Sequence, residues 1–165
     1  MNAFWAYFWP PFSAGLVVGI IAGAIGFRRR SRRNASFAIG MLVAILLAVI
    51  WHGPLGNADR FAATVERSVR ETTVENEIPE VSGHLNRGPL TRRVLLSGPA
   101  DDFQRSELVR LVDEVPGVES ASWSAGKALP LIVEGAAAAA LGFILGLIVA
   151  YLRDLRRRYN AQWNW

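Results

Sequence analysis

Three stretches of the chain carry almost no charge: Phe4 to Phe27, Asn34 to Ala58, and Ala128 to Leu152, the last interrupted only by Glu134. A bilayer core of about 30 Å is crossed by a helix of roughly 20 apolar residues. Inside lipid each backbone N–H and C=O has to find its partner within its own segment, so runs of this length predict three transmembrane helices. The first two spans are expected at about residues 12–27 and 36–53, making residues 1–56 a helical hairpin, and the third within residues 127–165. Between the second and third runs the pattern changes. Phe61, Val65 and Val69 recur every four residues, which predicts an amphipathic helix that Pro79 closes. The turn signal Asn86-Arg87-Gly88-Pro89 separates two short extended runs, "EVSGHL" and "RRVLLSG". A second helix is expected from Asp101 or Asp102, acids suited to its amino-terminal cap, with Leu108, Leu111, Val112 and Val115 spaced i, i+3, i+4, i+7. A turn at Pro116-Gly117 then leads to a last strand with Val118, Ala121 and Trp123. The predicted fold class is membrane α-helical, three transmembrane helices with a small extracytoplasmic α+β domain of αββαβ order over residues 57–126.

Charge orients this arrangement. The chain has 165 residues, 52% of them hydrophobic, and a net charge of +4. Arg28, Arg29, Arg30, Arg32 and Arg33 crowd the short loop 28–35 between the first two runs, and Arg153, Arg156, Arg157 and Arg158 follow the third. The segment from Asn57 to Lys127 is acidic instead, with nine basic and twelve acidic residues. Short arginine-rich loops stay cytoplasmic during insertion, and three spans place both clusters on the same side. The amino terminus and the α+β segment are therefore expected outside and the carboxyl tail inside. The loop arginines and Arg156, Arg157 and Arg158 read as topogenic and as contacts for anionic lipid headgroups. Nucleic acid is not an expected partner, because base-stacking aromatics are not interleaved with these arginines on a folded surface. No positive charge precedes the first run, so it is expected to remain in the mature chain rather than to be cleaved as a signal peptide.

The chemistry-bearing residues are few. The chain contains no cysteine, which removes disulfides, thiolate metal sites and cysteine nucleophiles. His52, beside Trp51, reads as an interfacial ring, and His84 as a solvated surface residue. No phosphate-binding, dinucleotide or metalloprotease motif occurs, and Asn34-Ala35-Ser36, a sequon in form, falls on the cytoplasmic side. No catalytic residue, metal or cofactor is expected. Gly15, Gly19 and Gly23 lie four apart in the first span, and Gly142 and Gly146 repeat the device in the third. Such faces let backbones approach closely, either span one against span three or each against another membrane subunit. Trp5, Trp9 and Trp51 read as an outer interfacial belt, while Trp163 and Trp165 suit the inner surface or a partner. Pro10 and Pro11 predict a kink or a fresh helix start. Glu134 is a candidate functional group, since a carboxylate at membrane depth is costly. Pro130 places it in the first turns of the third span, near water and favoured by the helix dipole; a hydrogen bond to another helix or a proton-handling role is the alternative.

The run "VLLSG", then a helix, then "LVDEVPGVESASW" resembles the BON domain of bacterial envelope proteins over roughly Ala58 to Trp123. Val94, Leu96 and Gly98 match the end of the second strand, and Pro116, Gly117 and Val118 the turn after the second helix. The chain departs from that family in a first strand interrupted by Gly83 and in hanging the domain between two spans. The resemblance implies binding to phospholipid surfaces or to envelope proteins, and no catalysis. It sets the expected function: a non-enzymatic bacterial inner-membrane protein, multi-pass, presenting a periplasmic binding or scaffold domain. An alternative is an accessory subunit that stabilises a larger respiratory or photosynthetic membrane complex; another is a regulator of surface-polymer assembly. The expected partners are membrane lipid and other integral membrane subunits or further copies of the chain.

Overall fold

A computed structural model describes residues 2–163; Trp165 of the expected inner belt lies outside the described residues, as do the side chains of Arg30 and Trp163. The chain divides into two compact units, one joining the residues up to Tyr7 with Gly56–Glu134, the other joining Phe8–Leu55 with the chain from Gly135 onward.

The second unit is helical. Helix α1 spans Ala3–Arg28, a 3-10 turn covers Arg30–Arg32, α2 spans Arg33–His52 and α5 spans Leu131–Trp163. Three helices, Ala3–Arg28, Arg33–His52 and Leu131–Ala161, are long and apolar enough to cross a membrane. The fresh start expected at Pro10 and Pro11 does not occur, and α1 begins at Ala3 and runs through both prolines. Proline removes one ladder hydrogen bond each, here to the carbonyls of Ala6 and Tyr7. Tyr7, one turn before Pro11, is buried against Phe61, so side-chain packing supports that turn where the ladder is interrupted. Packing in this unit is built on small residues. Gly40, Ala44 and Ala48 are the buried stripe of α2, and Ala22, Ala44 and Phe143 form a cluster flanked by Val18, Met41 and Leu147.

The first unit carries the α+β fold. Gly56 takes a left-handed conformation (φ +67°) and lets α3, Asn57–Glu75, start directly after the turn; Phe61, Val65 and Val69 are buried with it. Strand β1, Ser82–Arg87, pairs antiparallel with β2, Leu90–Ser97, matching Gly83 with Leu96 and Leu85 with Val94. Helix α4, Asp102–Asp113, opens on a reciprocal cap in which Asp101 accepts from the Gln104 backbone N–H and the Gln104 side chain accepts from the Asp101 N–H. Strand β3, Ser120–Ser122, then pairs parallel with β2, so that β2, α4 and β3 form a crossover unit and the sheet order is β1-β2-β3. One face of the sheet buries Leu85, Val94, Leu96 and Ala121, while α3 packs on β1 and α4 on β3. Gly83 does not break β1. A Cβ there would meet Val69 of α3 together with Val94 and Leu96, so the missing side chain is what lets helix and strand close on each other.

Candidate functional site

The glycines singled out in the sequence come together. A Cβ on Gly15 would collide with the Ala139 carbonyl, and one on Gly19 with the Phe143 carbonyl. From the other side, Gly142 meets Phe12 and Leu16, and Gly146 meets Leu16, Ile20 and Gly19. Gly23 faces Ala150 and Leu147. The register rises together along both helices, so α1 and α5 run parallel with their backbones in contact, the geometry in which dispersion between close backbones drives association in lipid. Helix α2 runs against them: Ser36 donates to the Ala22 carbonyl at 2.9 Å, and the rings of Phe27 and Phe37 meet edge to face at 5.4 Å.

The arginines also converge. Arg28 ends α1, Arg29 follows it, Arg32 closes the 3-10 turn and Arg33 opens α2, while Arg156, Arg157 and Arg158 occupy late turns of α5. Arg33 and Arg158 line one cleft of about 470 Å³ with Phe27, Tyr151 and Asp154. Arg28, Arg153 and Arg157 line a second of about 200 Å³. Loop and tail therefore lie at the same end of the helical unit. Asp154 pairs with Arg158 at 2.7 Å, an i, i+4 contact whose spacing was open to reading in the sequence.

Glu134 sits in the first turn of α5, and its partner is on a strand, not on another helix. The Arg92 Nε of β2 donates to Glu134 Oε2 at 2.6 Å, with the two side chains 17% and 16% exposed. The same guanidinium lies 5.5 Å over the Phe4 ring, and Tyr7 packs its ring 5.4 Å from Phe61. The α+β unit thus extends beyond the expected residues 57–126, taking in the first turns of α1 and the start of α5. No periodicity reveals this, because the two members of the ion pair are 42 residues apart.

Each outer strand of the sheet gives one backbone N–H to a helix carboxylate. Glu66 of α3 accepts from the Leu85 N–H at 3.1 Å and from Arg87 at 2.8 Å, at the outer edge of β1, and Asp113 accepts from the Ala121 N–H at the edge of β3. An edge N–H already engaged disfavours addition of a further strand at that point. Among the described residues this unit also holds a groove of about 380 Å³ between α3 and β1, lined by Arg67, Arg70 and His84 beside Glu66, and a smaller cleft of about 250 Å³ between the first turns of α1 and α3. The expectation of a solvated His84 agrees with its 67% exposed side chain. Among the described residues no group of three or more His, Asp or Glu is placed to hold a metal ion. Compared with protein-family models, curated proteins and solved structures, the chain has no match.

Proposed function

We propose that this chain is a non-enzymatic bacterial inner-membrane protein that presents its α+β unit, as a BON-like binding or scaffold module, to the periplasm. The observation that carries the reading is the convergence of both arginine clusters on one end of the helical unit. Positive charge gathered there orients that end toward the cytoplasm. In chain order the α+β segment is the stretch between α2 and α5, one span removed from each arginine cluster. The module binds through its α3–β1 groove. Arg67 and Arg70 suit that groove to anionic groups, either phospholipid headgroups or acidic protein segments.

A second reading, the accessory subunit, is favoured by α2. Its buried stripe is narrow, and Ile39, Leu42, Leu46 and Ile50 all stand exposed. In a larger complex that face would be covered by a partner helix. Photo-crosslinking residues at His84 and at Leu42, activated in native membranes, separate the two. The binding-module reading expects one discrete adduct from position 84 and only lipid from position 42. A discrete protein adduct from position 42 alone would replace it with the subunit reading.

A further inference from the structure

The helical unit holds a third cleft, of about 530 Å³, that differs from the two already described. Val18, Ile21 and Ile25 of α1 face Ile39 and Val43 of α2 across it, and Arg32 stands at its mouth. The Ser36 hydroxyl, which also lines it, is turned inward to the Ala22 carbonyl, so the walls present hydrocarbon. We propose that this cleft seats one acyl chain of an anionic phospholipid whose phosphate pairs with Arg32. The inference rests on the membrane reading above and adds to it a particular lipid class at a particular place.

The volume falls within the range of small-ligand sites, about 300–1,000 Å³. Apolar walls by themselves accept the chain of any lipid, so discrimination has to come from the mouth. Arg32, in the turn that joins α1 to α2, is exposed and among the described residues forms no ion pair with a carboxylate. The acid at this end of the unit, Asp154, is engaged by Arg158 and lines the other clefts. A guanidinium presents a planar fork of donors that matches a phosphate diester better than a zwitterionic headgroup, whose own cation competes. Its fixed charge near the surface of a bilayer favours anionic lipid by about fivefold.

Native mass spectrometry of the full chain, released from nanodiscs made with equal phosphatidylglycerol and phosphatidylcholine of the same acyl chains, tests this. The expected result is a single retained lipid, predominantly phosphatidylglycerol. Arg32→Ala should lower the preference about fivefold, while Arg158→Ala leaves it within twofold. Ala35→Phe, which fills the cleft beside Arg32 from an exposed position, should remove the retained lipid altogether. Equal retention of the two lipids, or a preference unmoved by Arg32→Ala, overturns the site while leaving the membrane reading intact. Displacement by soluble glycerol phosphate also overturns it, since a headgroup alone would then suffice. Failure of the chain to enter nanodiscs of either lipid overturns the membrane reading, and the site with it.

Discussion

Gly19→Leu is expected to lower the stability of the helical unit by about 3 kcal/mol or more, the upper end of the cost of overpacking. The sign of the prediction is informative. Leucine is the better helix former by somewhat less than the roughly 0.8–1 kcal/mol that separates glycine from alanine, so an isolated α1 would gain from the change. The loss comes from contact: a Cβ at position 19 meets the Phe143 carbonyl, which is backbone and cannot rotate away. Gly142→Leu should behave alike from the other side, against the Phe12 carbonyl. Val17→Leu, on an exposed position of the same helix, should stay within about 0.5 kcal/mol of the parent. Thermal unfolding in one detergent, followed by tryptophan fluorescence, compares the three. Stabilisation by Gly19→Leu would mean that α1 and α5 do not pack in this register.

Arg92→Met is the second large effect, expected at about 1.5–3 kcal/mol, the range for a hydrogen bond to a charged group. Removing the guanidinium leaves Glu134, a carboxylate only 16% exposed, without its 2.6 Å donor, and takes the cation off the Phe4 ring. Breaking one side of a shielded pair costs more than replacing both. The double variant Arg92→Met/Glu134→Leu should accordingly regain part of what Arg92→Met loses, read as a positive coupling in a double-mutant cycle on the same thermal unfolding assay. Losses that simply add would show the pair to be incidental.

Local features of the fold were legible wherever a short-range rule governs them. The period of Phe61, Val65 and Val69 marks α3, the Asn86 to Pro89 turn marks the β1–β2 hairpin, and Asp101 caps α4 as its side chain suggests. The glycine faces of α1 and α5 were legible as a device, although spacing leaves open whether they meet each other or a partner; the structure puts them against each other. The stripe Gly40, Ala44, Ala48 follows the same four-residue rule and was readable in principle. Other features depend on residues far apart in the chain. Nothing near Arg92 points to Glu134, nor near Glu66 to the edge of β1 at Leu85. Pro10 and Pro11 allow a kink or a fresh start by local propensity, and spacing alone does not reveal that α1 begins upstream of both, at Ala3.

The proposed role depends on the α+β unit and the arginine-rich loop facing opposite sides of a membrane. The chain has no native cysteine, so single replacements report cleanly. Ser106→Cys, on exposed α4, and Ser31→Cys, in the arginine loop, can be treated on intact spheroplasts with a membrane-impermeant maleimide. The account predicts labelling at position 106 at once and at position 31 only after permeabilisation. Labelling of position 31 from outside, or of both positions from the same side, would contradict it.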